Sequence, residues 1–213
     1  MPYLNVNRFL AQTRAEGPGL RCCFWLQGCM RHCPGCCNEP MQSFEKKTIL
    51  TSEEAISLVR QAVDLYGIQG VTFLGGEPLL QTQGLLPVLS WIRSQGLTTM
   101  LFTGYLFEEC QKDVVPGTSE LLQFIDVLVD GPFLEDQLDE VRNWVGSRNQ
   151  RFIYLTNRYD KRIETDMSFK GIVEVYANAD TCSLNGCPKT LSSFNNNAQS
   201  KLSKQEKRNT ILE

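Results

Sequence analysis

Apolar residues recur at helical spacing in two segments of the chain. In residues 51–66 the apolar positions on one helical face are Ala55, Val59, Ala62 and Tyr66. Thr51, with Glu54 three residues later, forms a capping box, and Gly67 is suited to end this helix. A second helix is predicted over residues 84–95, with an apolar face formed by Leu85, Leu89 and Ile92. A shorter helical stretch is predicted over residues 118–124.

Four short apolar runs alternate with these helices and predict buried strands. The runs span residues 22–27, 71–74, 98–102 and 126–129. Strands separated by helices are typical of β-α units and of a parallel sheet. The chain is therefore predicted to be an α/β protein with parallel strands.

Small and polar residues follow each of the four predicted strands. These residues are Gly28–Cys29, Gly75–Pro78, Thr103–Gly104 and Asp130–Gly131. In barrel-like β/α folds the carboxyl ends of the strands carry the active residues. Each motif alone fits an ordinary β-α turn, but four motifs on one edge, called the rim below, favour a shared ligand site.

Cys29, Cys33 and Cys36 form a C-x3-C-x2-C pattern directly after the first predicted strand. With Pro34 and Gly35 between them, the three thiols can bind one side of a metal centre and leave one coordination position open. Four-iron clusters normally take four thiolates, so three favour a [4Fe–4S] cluster with one iron free for a substrate or cofactor. Structural zinc is the main alternative, and disulfides come last.

The remaining cysteines supply no obvious fourth ligand. Cys37 directly follows Cys36, which makes it a geometrically poor ligand for the same centre. Cys22 and Cys23 lie too close to the loop for a second C-x2-C arm. The pair Cys182 and Cys187 can bind a second metal only if further ligands join it, and simple thiols around an Asn-Gly turn are the favoured interpretation.

Composition excludes several classes of function. The 213 residues have a formal net charge of −3, which leaves no basic footprint for nucleic acid. No apolar run approaches the length of a membrane span, and the first residues lack a signal-peptide pattern. With nine cysteines, the chain is expected to be a cytoplasmic protein whose thiols stay reduced, without a membrane or nucleic-acid partner.

The second rim motif suits an amino-acid-like ligand. Gly75 and Gly76 have no Cβ and allow a backbone to approach a ligand closely. Glu77 offers a carboxylate to a cationic group such as an ammonium, and Pro78 is placed to begin the next turn.

The cysteine loop together with the GGEP motif at residues 75–78 resembles the radical S-adenosylmethionine superfamily. Residues 16–21 (EGPGLR) and 27–29 resemble the opening of glycyl-radical-enzyme activases. Three later stretches resemble the activating proteins of anaerobic (class III) ribonucleotide reductase: TGYLFEE at 103–109, IDVLVDGPF at 125–133 and GSRNQR at 146–151. The resemblance covers about residues 1–155 and implies a partial, TIM-like β/α barrel.

The resemblance also implies the cofactors and the site. Cys29, Cys33 and Cys36 would ligate three irons of a [4Fe–4S] cluster, and S-adenosylmethionine would chelate the fourth. Its amino group would lie at Gly75, Gly76, Glu77 and Pro78, and the backbone of Gly35 and Cys37 would flank its adenosine. Thr103, Asp130 and Gly131 are rim positions that could reach the methionine or the ribose. His32, the only histidine, is expected to pack in the loop or be exposed rather than to transfer protons.

The implied reaction is reductive cleavage of S-adenosylmethionine to methionine and a 5′-deoxyadenosyl radical. That radical would take a hydrogen from a glycine of a partner enzyme such as anaerobic ribonucleotide reductase, with a flavodoxin or ferredoxin as electron donor. A radical enzyme acting on another peptide or metabolite is one alternative, and a non-enzymatic iron–sulfur or zinc module is another.

The sequence departs from the family pattern at three places. Position 37 is often aromatic in the family and is Cys37 here, and the residues after Asn38 lack the expected Thr-Trp type of continuation. The chain also extends some sixty residues past Arg151. We predict a partial-barrel domain over residues 1–190 and a polar, mobile tail over residues 191–213.

Overall fold

The computed structural model describes residues 2–177 and 182–186. A seven-stranded sheet with strand order β3-β1-β2-β4-β5-β6-β7 forms its centre. The strands are β1 (Tyr3–Thr13), β2 (Arg21–Leu26), β3 (Thr48–Thr51), β4 (Gly70–Gly75), β5 (Thr98–Phe102), β6 (Val127–Asp130) and β7 (Arg151–Tyr154). A separate hairpin is formed by β8 (Val173–Ala177) and β9 (Cys182–Gly186).

Four helices connect the strands. They are α1 (Ser52–Tyr66), α2 (Thr82–Ser94), α3 (Phe107–Gln111) and α4 (Thr118–Leu121). Short 3₁₀ turns span Glu39–Met41, Pro78–Gln81, Leu122–Phe124, Glu135–Gln137, Lys161–Glu164 and Met167–Phe169. Within the described part of the chain, no helix combines the length and the apolar character needed to cross a bilayer.

The predicted parallel α/β arrangement is confirmed. Strands β2, β4, β5 and β6 run parallel to one another in that order. Strand β1 joins β2 antiparallel on one side, and β7 joins β6 antiparallel on the other. The sheet forms an incomplete barrel, because β3 and β7 are its two edges.

The sequence pattern did not predict strands β1, β3 and β7. Strand β1 lacks a steady alternation because its register with β2 shifts between Val6 and Arg8 and again between Leu10 and Thr13. Strands β3 and β7 have four residues each, too few to establish a period of two. Pairing with neighbours distant in sequence, rather than local pattern, defines these three strands.

Helices α1 and α2 pack on the face of the sheet formed by alternate strand residues. Cys22, Phe24 and Leu26 of β2 face this core, together with Phe73 of β4 and Leu101 of β5. The predicted buried positions of α2 are fully buried, and the Thr51–Glu54 capping box is present. Tyr66 was predicted to share the buried face of α1, but it is 41% exposed at the last turn of the helix.

The segment after β7 lies at the edge where the parallel strands begin, opposite the rim. Tyr159 contacts the hydroxyl of Thr98, the first residue of β5, with 2.9 Å between the two oxygens. The β8–β9 hairpin then binds the end of β1 that pairs with the start of β2. There the Glu174 carboxylate accepts hydrogen bonds from the Thr13 hydroxyl and the Arg14 backbone N–H.

The predicted boundary at residue 190 and the tail beyond it lie outside the described residues. Cys182 belongs to β9, and Cys187 falls outside the described residues. The interpretation of these two cysteines as simple thiols, rather than as ligands of a second metal, is therefore still a prediction.

Docking of the hairpin produces a pH-sensitive carboxyl group. Burial, followed by the nearby charge of Glu174, raises the pKa of Glu16 from 4.5 to about 7. We expect the Glu16→Gln variant to gain stability over the wild type as pH rises from about 5 to about 8. The reason is that Glu16 ionises in the unfolded chain above about pH 4.5 but keeps its proton in the folded state up to about pH 7, so the wild type loses stability across this range. The difference in free energy of unfolding between the variant and the wild type should change by on the order of 2 kcal/mol between the two pH values. Urea unfolding at both pH values measures it.

The exposed Glu120 on α4 supplies the matched control, since a Glu120→Gln variant should track the wild type at both pH values. A Glu16→Gln variant whose difference from the wild type stays constant between the two pH values contradicts this account of Glu16.

Candidate metal and cofactor site

The cysteine loop begins where β2 ends and is held at its base by backbone hydrogen bonds. The N–H of Gly28 donates to the Met41 carbonyl at 2.8 Å, and the N–H of Cys29 donates to the Gln42 carbonyl at 3.0 Å. The N–H of Cys36 donates to the Cys33 carbonyl at 3.2 Å, which turns the loop back on itself. Cys29 is buried, whereas Cys33 and Cys36 are half-buried and Cys37 is exposed. The loop therefore presents thiols at an open surface of the rim.

The two glycines at the end of β4 are required by the protein's own backbone. A Cβ on Gly75 would lie 2.4 Å from the nitrogen of Leu26, and a Cβ on Gly76 would lie 2.4 Å from the carbonyl oxygen of Gly28. Close approach of a ligand was the predicted reason for this pair of glycines. In the structure their first role is to let β4 contact the base of the cysteine loop.

Glu77 is buried and joins the rim of β4 to the rim of β5. Its backbone N–H donates to the Gly28 carbonyl at 2.8 Å. Its Oε1 accepts from the Thr103 hydroxyl at 2.8 Å and from the Leu79 N–H at 3.0 Å, and its Oε2 accepts from the Gly104 N–H at 2.8 Å. Burial raises the pKa of Glu77 to about 7, although these hydrogen bonds oppose the shift. The carboxylate thus holds two strand ends together.

Pro78 begins the 3₁₀ turn that follows Glu77, as its ring was expected to do. Thr103 lies on the same rim with its hydroxyl committed to Glu77. The predicted convergence of the β4 and β5 motifs at one edge is therefore present in the structure.

Asp130, at the end of β6, has partners within the protein. Its carboxylate accepts from the Phe107 N–H at 2.7 Å and from the Arg151 Nε at 3.0 Å. Arg151 also binds Glu108 with two hydrogen bonds of 3.0 and 2.8 Å. The fully buried Asp130 thus fixes the start of α3 and the start of β7 to the rim. Gly131 follows with a φ of 97° and donates its N–H to the Tyr105 carbonyl at 3.0 Å.

Gly35 places the far side of the cysteine loop against the segment that follows β6. It has a φ of 72°, and a Cβ there would lie 3.1 Å from Glu135 and 3.3 Å from Phe133. An open pocket of about 400 Å³ adjoins this contact, and its lining is Pro34, Phe133, Leu134, Glu135 and Asp136.

The structure does not gather the thiols around a single ion. Among the described residues, no three His, Cys, Asp or Glu side chains converge as the ligands of one metal ion do. The ligands of a four-iron cluster bind separate irons, so they stand farther apart than the ligands of a zinc ion. No disulfide joins any two of the seven cysteines Cys22, Cys23, Cys29, Cys33, Cys36, Cys37 and Cys110.

The surroundings of Cys29 act on its thiol in two opposing ways. The Arg31 backbone N–H lies 3.4 Å from the Cys29 sulfur and can stabilise a thiolate there. Burial nevertheless raises the pKa of the Cys29 thiol, so the thiolate form depends on a bound cation. A cationic iron centre bound at this loop would supply that charge.

The sequence pattern did not indicate a role for three residues of the rim, Arg31, Tyr105 and Glu109. The guanidinium of Arg31 stacks on the ring of Tyr105 with 4.0 Å from Cζ to the ring centroid, and its Nη2 lies 3.0 Å from Glu109 Oε2. Tyr105 and Glu109 lie in the TGYLFEE stretch, but no local signal paired them with a residue between two cysteines.

His32 is exposed, with Nδ1 3.1 Å from Gln42 Oε1, which fits the expected exposed role.

Comparison with known proteins identifies the family. A family model for a 4Fe–4S single cluster domain matches residues 15–153. An anaerobic ribonucleoside-triphosphate reductase-activating protein from Haemophilus influenzae is 32% identical over 152 residues, covering 69% of this chain and 96% of that protein. The protein of the same name from Enterobacteria phage T4 is 30% identical, covering 70% of this chain and 92% of that protein. This chain belongs to the family of these activating proteins.

Membership confirms the resemblance found in the sequence. The chain is a radical S-adenosylmethionine enzyme of the activase branch, and its cofactors are a [4Fe–4S] cluster and S-adenosylmethionine. The family match ends at residue 153, so the segment that carries β8 and β9 lies beyond it.

The contact between Gly76 and the cysteine loop gives a direct test. We expect Gly76→Ala to destabilise the protein by about 1–3 kcal/mol, because its Cβ would displace the backbone at Gly28 and Met41. The same variant should retain less iron after anaerobic reconstitution. Urea unfolding and iron analysis measure the two effects.

Gly96→Ala is the matched control, because nothing lies within 4 Å of its Cβ position and only its left-handed backbone, with a φ of 73°, is strained. That control should lose about 1 kcal/mol and keep its iron. Wild-type iron content in Gly76→Ala would show that the close approach of β4 does not fix the loop.

Proposed function

We propose that this protein generates a glycyl radical on an anaerobic ribonucleotide reductase. The observation that carries the proposal is an open three-cysteine loop on the rim of a chain that belongs to the reductase-activating family. Cys29, Cys33 and Cys36 hold the cluster, and the loop offers no fourth thiol in a suitable position. When bound, the cluster and S-adenosylmethionine supply a one-electron cleavage that yields the 5′-deoxyadenosyl radical.

The end of β4 holds the methionine part of the cofactor. Among the described residues, no hydrogen bond is donated to the Gly76 carbonyl, which leaves this acceptor for an ammonium group. The Glu77 carboxylate accepts three hydrogen bonds from the protein and has roughly one acceptor site left. Glu77 therefore contributes mainly by fixing the backbone, with Thr103 and Pro78 as its supports.

The far side of the cysteine loop receives the adenosine. Gly35 and Cys37 supply backbone there, and the pocket lined by Pro34 and Phe133–Asp136 offers an apolar wall next to them. Asp130 and Gly131 shape this side by fixing the segment after β6, since the Asp130 carboxylate is already bound to Arg151.

The open rim suits a protein substrate. Met30 in the cysteine loop is 59% exposed, and Leu106 after β5 is 42% exposed, so apolar side chains border the site. The described part of the C-terminal segment lies at the opposite edge of the sheet, where it leaves the rim uncovered. This placement favours a large partner over a small metabolite enclosed by that segment. A flavodoxin or ferredoxin in the cytoplasm is the proposed electron donor.

Cysteine variants test the cluster and the chemistry together. After anaerobic reconstitution the wild type should hold about four irons and release 5′-deoxyadenosine when given dithionite and S-adenosylmethionine. Cys33→Ala should abolish this release because a cluster ligand is lost. Cys37→Ser should retain the cluster, because Cys37 is exposed and is not a ligand.

A Cys33→Ala variant that cleaves the cofactor at the wild-type rate would contradict the assignment of the ligands. The loss of iron in Cys37→Ser would contradict the exclusion of Cys37.

The target is tested with a purified anaerobic ribonucleotide reductase. Mixing it with the reduced, loaded protein should produce the doublet of a glycyl radical in electron paramagnetic resonance. The doublet should be absent with Cys33→Ala. Release of 5′-deoxyadenosine without a doublet, from a reductase that another activating protein does activate, would point to a different substrate.

A further inference from the structure

The side chain of Arg31 passes from the cysteine loop to the rim of β5. Its guanidinium stacks on Tyr105 and lies 3.0 Å from Glu109 Oε2, as described above. A Cβ on Gly104 would lie 2.9 Å from Arg31 Cγ, so this glycine leaves the path open for the arginine. Arg31 thus contacts three consecutive features of the β5–α3 connection: the glycine, the tyrosine ring and the carboxylate.

The carboxylate that receives Arg31 is itself fixed. Glu109 Oε2 accepts the Leu106 N–H at 2.7 Å, in the first turn of α3. The position of the Arg31 guanidinium is therefore set by a helix start and by an aromatic ring, both of which belong to the rim.

Arg31 holds the side of the loop that the backbone bonds do not reach. The base is bound through Gly28 and Cys29, and His32 binds Gln42 on the same side as the base. Arg31 extends in the other direction, toward β5, where a Cβ on Gly104 would lie 2.9 Å from Arg31 Cγ and 3.5 Å from Glu77 Oε2. The loop is thereby fixed from two sides, with the cysteines between them.

We propose that Arg31 is a positioning residue that clamps the cysteine loop to Tyr105 and Glu109, and so aligns the open coordination position with the methionine-binding end of β4. This inference rests on the proposed function and deepens it. A displacement of about 1 Å at a reacting centre can cost about 100-fold in rate, so a clamp at this place controls turnover.

The first test measures the loop itself. In Arg31→Met, hydrogen–deuterium exchange should be faster at the backbone amides of the cysteine loop, both with and without the reconstituted cluster. Arg60→Met is the matched control, because Arg60 stacks on Trp91 at 5.5 Å on the helical face, away from the rim. Exchange in the loop at the wild-type rate in Arg31→Met would overturn the clamp.

The second test measures the rate of turnover divided by the amount of assembled cluster. A variant that binds less iron can then still be compared with the wild type. Arg31→Met should form 5′-deoxyadenosine about 10- to 100-fold more slowly than the wild type. Arg31→Lys should restore most of the rate, since an ammonium can still pair with Glu109. In a Glu109→Gln background, Arg31→Met should cost less than it does in the wild type, because the Glu109 contact is already weakened and only the Tyr105 contact is left to lose.

Wild-type turnover in Arg31→Met, no rescue by lysine, or fully additive losses would each contradict the clamp. If the wild type itself releases no 5′-deoxyadenosine, the proposed function fails, but the exchange measurement still decides whether Arg31 holds the loop.

Discussion

The contact between the end of β4 and the base of the cysteine loop is the constraint on which the site depends. Gly75 and Gly76 lie so close to Leu26 and Gly28 that neither can carry a side chain without displacing backbone. The Glu77 N–H then bonds to the Gly28 carbonyl, and the Glu77 carboxylate reaches across to β5. One turn of chain therefore connects the cysteine loop, the end of β4 and the rim of β5. The buried carboxylate is costly to desolvate, and three hydrogen bonds offset that cost.

Local pattern was enough to predict the elements that carry their own periodicity. Helix α2 and the parallel strands lie close to their predicted positions, because buried faces repeat at fixed spacing within each of them. The flanking strands were missed because β1 is interrupted by register shifts and β7 is only four residues long. Their place in the sheet is decided by partners distant in sequence. Tyr66 illustrates the same limit, since helical spacing does not indicate where the neighbouring layer ends.

The rim shows the same division between local and long-range information. The sequence placed Cys29, Glu77, Thr103 and Asp130 on one edge, and the structure brings their segments together there. It could not predict that Thr103 supports Glu77 or that Asp130 binds Arg151, because those pairs join residues more than twenty positions apart. The Arg31–Glu109 pair spans 78 positions and is equally invisible to local pattern. Motifs such as the cysteine loop and GGEP thus indicate the kind of ligand, while the tertiary contacts determine which side chains can reach that ligand.

If the three-cysteine loop leaves one iron open for S-adenosylmethionine, the amino nitrogen of the bound cofactor lies close to that iron, and isotope labelling can detect it. The reduced, reconstituted protein would be examined by pulsed electron paramagnetic resonance with cofactor that carries ¹⁵N in its amino group. A ¹⁵N hyperfine coupling to the cluster is expected, in place of the ¹⁴N coupling that unlabelled cofactor gives. Identical spectra from labelled and unlabelled cofactor, in a protein that binds both, would contradict binding of the cofactor at an open iron.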